Sequence, residues 1–220
     1  MRRAPWPVSV LLGASIGLLV VLAGPLLLFN PWFVSSLQAR QDVAGAFDTS
    51  QAEIDRVTGE FLADLFTDGA FDAELDGRPL LDDTERSHMA DVSRLVRLLV
   101  LTAVVALIGA AVCGVLLRGQ PRRMATVLVA TGSAIGAAGL LLGLIFAVAF
   151  EPAFLAFHVV FFPAGTYLFA PGSNLITLFP EGFWFEATLV AGATVVLSAL
   201  VVLGIGLWGR RRPPTTLAAA

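Results

Sequence analysis

Four apolar runs constrain this chain more than any other feature. They cover roughly Val8–Phe29, Leu95–Leu117, Met124–Phe150 and Ala187–Trp208. Each reaches the length of about 20 residues that a helix needs to cross the hydrocarbon core of a bilayer. An α-helix satisfies its backbone groups internally, which is what a membrane interior demands. Composition agrees: of the 220 residues 57% are hydrophobic, and the mean hydropathy is +0.83. The first run follows Arg2 and Arg3, as in a signal peptide. Its apolar stretch is too long for one and no small-residue cleavage site follows, so a retained anchor is expected. The expected fold is an all-α integral membrane protein, one domain spanning 1–220, with four transmembrane helices. A partly ordered extracytoplasmic cap and an irregular or re-entrant outer segment complete it.

The arginines give the expected orientation. Lysine is absent, and Arg2 and Arg3, then Arg118, Arg122 and Arg123, then Arg210, Arg211 and Arg212 flank alternate span ends. The positive-inside rule makes those ends cytoplasmic, with both termini inside. Segments 30–94 and 151–186 then lie outside. The single cysteine, Cys113, falls in an apolar run, which leaves no intrachain disulfide and suits a small packing residue.

The first outer segment holds fourteen of the seventeen acidic residues. Within "DTSQAEIDRVTGEFLADLF", Ile54, Val57, Phe61, Leu62 and Leu65 share one helical face, and Asp48 or Ser50 can cap its start. An acidic opposite face suits packing on protein better than lying on lipid. Asp76-Gly77 predicts a hairpin turn. Asp82 followed by Glu85 has the spacing of a capping box, so the second spanning helix should start there, some turns above the membrane. Glu85, His88 and Asp91 then form one polar stripe on that helix.

The second outer segment contains "FHVVFFPAGTYLFAPGSNLITLFPEGFWFE", as apolar as a span yet broken by Pro163, Gly165, Pro171 and Gly172. Glu151-Pro152 is expected to end the third helix. Ala153–Phe162 is too short to span and has re-entrant or interfacial length. Half of the sixteen phenylalanines lie between Phe154 and Phe185, a density that fits the headgroup level.

Both histidines, His88 and His158, belong to these outer segments. Imidazole gives and takes protons near neutrality, so the pair suits general acid–base catalysis, and Asp91 could orient His88. An interfacial packing role is the competing reading for each. No nucleophile motif is present. A metal set from His88, His158, Asp91 and Glu181 lacks the paired-histidine spacing of metal sites, so no metal and no cofactor are expected. Arg94 could meet a peptide carboxylate or lipid phosphate, although a snorkelling arginine gives the same pattern. Glu181, after Pro180, suits the first turn of the fourth helix. Gly132, Gly136 and Gly139 suit close helix packing.

"ERSHMADVSRL" and "FHVVFFPAGTYLFAPGSNLITLFPEGFW" resemble the two signature regions of the lipoprotein intramolecular transacylase family. Length, four spans and a large first outer loop are also similar. The resemblance implies a bacterial plasma-membrane enzyme that moves the sn-2 acyl chain of a diacylglyceryl lipoprotein to the α-amine of its N-terminal cysteine. It implies His88 and His158 as the catalytic pair, at the outer leaflet. In that scheme His88 is the base, oriented by Asp91, and His158 the acid or oxyanion donor. Gly165, Asn174, Tyr167 and Arg94 are the substrate-binding candidates. The lipoprotein and membrane lipids are the expected partners, and nucleic acid is not. One departure lies near Ala164-Gly165-Thr166, where several members of the family have an Asn-Asp-like pair. Two other readings use the same features: an outer-leaflet lipid acyltransferase or hydrolase, and a non-enzymatic subunit binding a partner through its aromatic segment.

Overall fold

The computed structural model describes residues 5–67 and 69–211. Arg2, Arg3 and Arg212, three of the arginines used for orientation, lie outside the described residues. Four helices are long and apolar enough to cross a membrane. These are α1 (Trp6–Ala23), α5 (Asp83–Leu117), α6 (Pro121–Val148) and α9 (Glu181–Arg211). The chain divides into two compact units.

The first unit comprises Met1–Ala23, Thr102–Leu140 and Thr194–Ala220. It contains all of α1 and parts of the other three long helices. Leu12, Cys113 and Leu117 form its buried apolar cluster, so Cys113 is a packing residue. Gly132 shows why α6 carries glycines. A Cβ there would sit 2.7 Å from the backbone nitrogen of Leu203 and 2.8 Å from the Ala199 oxygen, so α6 and α9 touch backbone to backbone.

The second unit, Gly24–Leu101 and Leu141–Ala193, holds the polar cap and both histidines. The first apolar run does not stay α-helical to Phe29, as the sequence reading had it. Pro25 lacks an amide hydrogen, and Pro25–Phe29 tightens into a 3-10 turn. Helix α2 (Pro31–Arg40) follows, capped by the Asn30 side chain, which accepts from the Phe33 amide. After the single turn α3 (Val43–Ala46) comes α4 (Gln51–Asp64), capped by Ser50. The face read from the sequence is the buried one: Ile54, Val57, Phe61, Leu62 and Leu65. Each large side chain so buried contributes about 1.5–3 kcal/mol. Arg56 pairs with Glu53 and Glu60 on the exposed face, where ion pairs add little. Gln38, fully buried, ties three elements together. Its amide donates to the Thr58 hydroxyl on α4 at 3.0 Å and to the Leu178 carbonyl at 3.1 Å.

The hairpin forms where Asp76-Gly77 placed it. Strands β1 (Glu74–Leu75) and β2 (Arg78–Pro79) pair antiparallel, and both turn residues have positive φ. The capping box also forms: the Asp82 amide donates to Glu85 at 2.9 Å and the Glu85 amide to Asp82 at 2.8 Å. Helix α5 therefore starts at Asp83, well before its apolar stretch.

The third helix ends earlier than Glu151-Pro152. The break is at Ala149 (φ −141°, ψ 51°), and both residues fall in the first turn of a new helix, α7 (Phe150–Phe161). A first-turn proline lacks only a hydrogen that has no intrahelical partner, so Pro152 is accommodated there. Irregular backbone follows to Ser173, with Gly165 and Gly172 at positive φ. The short helix α8 (Asn174–Leu178) precedes α9, which opens with Glu181 in its first turn.

Candidate active site

Glu85, His88 and Asp91 lie along one stripe of α5, and that stripe faces inward. Glu85 is 2% exposed, His88 6%, and the Asp91 side chain 11%. A buried carboxylate needs donors, and Glu85 has them from two helices. One oxygen completes the capping box, and the other accepts the Leu175 amide at the start of α8 at 2.8 Å. The Asn174 amide donates to the Leu80 carbonyl at 2.6 Å, a second tie between the same two stretches.

One turn along α5, His88 meets α7. Its ring stacks on that of His158, centroids 6.0 Å apart and planes 25° apart, although seventy positions separate them in sequence. Phenylalanines enclose the pair. Phe162 lies 4.8 Å and Phe169 5.5 Å from His88, both edge-on, and Phe154 lies 4.4 Å from His158. Tyr167 packs on His158 at 5.3 Å.

The two rings differ in state. His158 Nδ1 lies 2.8 Å from the carbonyl oxygen of Phe154, one turn earlier in α7. A carbonyl only accepts, so Nδ1 carries a proton, and in the neutral ring Nε2 holds the lone pair. His88 Nδ1 is buried and has no hydrogen-bond partner. The charged residues Asp91, Arg94 and Arg97 come after His88, so its ring precedes the apolar stretch of α5. Burial pushes its pKa down to about 4; His158 adds to the depression and Asp91 opposes it.

Of the residues read from the sequence, His88, His158 and Tyr167 come together. Asp91 lies one turn beyond His88 but pairs with Arg94, so it acts on the ring by charge and makes no hydrogen bond to Nδ1. Arg94 is largely exposed. Gly165 forms part of the turn in which the Thr166 amide donates to the Pro163 carbonyl. Asn174 commits a hydrogen to Leu80. The sequence reading missed the second role of Glu85, its bond to α8. The capping-box spacing marked Glu85 as an N-terminal residue, but nothing local pointed to Leu175, ninety positions on. The Phe154 carbonyl was also missed.

Fold and site together define an integral membrane protein with a histidine pair in an aromatic enclosure. The sequence pattern of the family described as lipoprotein intramolecular transacylase Lit matches residues 10–184. The chain belongs to that family, whose activity is acyl transfer, and this sets aside the reading as a non-enzymatic subunit. The fold is that of the Bacillus cereus lipoprotein intramolecular transacylase Lit. The match has a TM-score of 0.82 and 18% identity, and covers 92% of this chain and 94% of that one. Two structures of the same Bacillus cereus protein, one with a histidine changed to arginine and one with it changed to alanine, match with TM-scores of 0.75 and 0.72 at 18% identity. The first covers 92% of this chain and 90% of that one, the second 91% of each. No curated protein matches the chain by sequence.

Proposed function

We propose that this chain transfers the sn-2 acyl group of a diacylglyceryl lipoprotein to the α-amine of its N-terminal cysteine, and that His88 and His158 carry the chemistry. The stacked histidines are the observation that supports this most. The substrate brings ester and amine together itself, and such alignment is worth up to about 7–11 kcal/mol of barrier. A free α-amine has a pKa of about 8, so a useful fraction is neutral near pH 7. The nitrogen attacks the ester carbonyl carbon, the C–N bond forms and the C–O bond to glycerol breaks. One proton leaves nitrogen and one reaches the glycerol oxygen, so the transfer consumes none.

The ring states favour a division of labour that reverses the one expected from the sequence. His158 Nε2 takes the proton from nitrogen and returns it to the glycerol oxygen, as one histidine does in serine proteases. The Phe154 carbonyl fixes the tautomer this requires. His88, whose burial favours the neutral ring, donates a hydrogen bond to the developing oxyanion. A neutral imidazole of lowered pKa polarises a carbonyl in this way in other enzymes. Asp91 contributes charge. We place the site at the outer leaflet, with both termini cytoplasmic, because the arginine distribution favours that orientation. The substrate's acyl chains would then lie among lipids and its peptide in water.

The test is mass spectrometry of lipoprotein N-termini from a host that lacks this activity and expresses the chain. The expected product carries one acyl group on the cysteine amine and a free glycerol hydroxyl. Unchanged diacylglyceryl lipoproteins, with the protein folded in the membrane, would overturn the reading. A glycerol hydroxyl freed without N-acylation would indicate hydrolysis instead.

A further inference from the structure

An open cleft of about 270 Å³ is lined by Asp83, Thr84, Ser87, Gly165 and Thr166. Each of its walls continues along the chain to a residue of the histidine site. On α5, Thr84 is one turn before His88 on the same face, and Ser87 is its chain neighbour. On the other wall, Thr166 precedes Tyr167, whose ring packs on His158. The cleft and the enclosure around the rings differ in chemistry. Phe154, Phe157, Phe162 and Phe169 surround the rings, and such a wall suits acyl chains. The cleft instead offers three hydroxyls and a carboxylate.

We propose that this cleft binds the backbone of the peptide that follows the lipidated cysteine. The proposal rests on the transacylase reading and adds the place where the substrate's polar half lies. An extended peptide presents an N–H and a C=O at every residue. Hydroxyls serve as donor or acceptor in turn, so Thr84, Ser87 and Thr166 can meet either group. The Thr166 hydroxyl donates to the Pro163 carbonyl at 2.9 Å, which leaves its oxygen free to accept from a peptide N–H. Gly165 has φ +87°, and a Cβ there would meet nothing within 4 Å, so bare backbone borders open space. The hydroxyls and bare backbone of the cleft suit main chain, and its one carboxylate, Asp83, is already paired with Arg86.

The experiment compares two probes with purified full-length protein: a diacylglyceryl-cysteine carboxamide and the same headgroup extended by four residues. The unmodified protein should favour the extended probe by about tenfold in kcat/KM, the effect of one or two hydrogen bonds. Ser87→Phe and Thr84→Phe fill the cleft and should bring the ratio of the two probes close to one. Ser87→Ala, which disturbs packing least, should lower the ratio part of the way. Equal rates on both probes in the unmodified protein would overturn the subsite, as would a ratio unchanged in all three variants. No turnover of either probe by the unmodified protein would overturn the transacylase reading itself.

Discussion

The burial of the His88 ring and the bonded Nδ1 of His158 are the details on which the chemistry turns. If His158 moves the proton, His158→Gln should lower kcat/KM by about 100- to 10,000-fold. His88 acts as a neutral donor in this scheme, and glutamine keeps a donor amide. His88→Ala should lose about 100- to 1,000-fold, and His88→Gln should recover at least tenfold of that. Equal losses in the two His88 variants would remove the donor role. The buried ring also leaves a mark on stability. Its folded pKa of about 4 lies below the ordinary 6.5, so the unfolded chain binds the proton more readily. This contribution is fully present above about pH 6.5 and is lost as the pH falls towards 4. Thermal unfolding in detergent should show a decline across that window that is shallower in His88→Phe.

Helix starts, rather than helix bodies, position the site. Glu85 closes the first turn of α5 and, through the Leu175 amide, the first turn of α8. Its loss leaves one cap open and one buried amide unsatisfied. Glu85→Ala should therefore destabilise the protein by about 2–4 kcal/mol. Glu85→Gln, which keeps one acceptor oxygen, should fall between the two in chemical unfolding. A Glu85→Ala protein as stable as the original would show that the tie is dispensable. The break at Ala149 works at the same scale. Because the chain restarts as α7, His158 sits in the last turn of a short helix with the Phe154 carbonyl one turn behind it.

Across the whole chain, orientation is the property that composition controls most directly. Arginine clusters flank alternate span ends, and moving such clusters through a bilayer is costly. A fluorescent protein fused to the C-terminus should mature, and a phosphatase fused there should be inactive. A phosphatase inserted at the Asp76-Gly77 turn should be active. The reverse pattern would invert the orientation and move the proposed site to the inner face.

Much of this architecture was legible because its causes are local. Spanning helices follow from apolar length, the α4 face from 3.6-residue periodicity, the hairpin from Asp76-Gly77 and the α5 start from Asp82 and Glu85. The sequence also singled out His88 and His158, as the only titratable imidazoles in segments that were neither clean spans nor plain loops. It could not show that their rings stack, because that depends on α7 folding as a separate helix against α5. It assigned Asp91 to His88 by spacing alone, whereas the rotamers in the fold place Asp91 on Arg94. The tautomer of His158, the depressed pKa of His88 and the second bond of Glu85 each depend on a group brought near by folding. Periodicity and capping are set within a few residues, whereas burial and charge environment are sums over the packed neighbourhood, which only the tertiary structure decides.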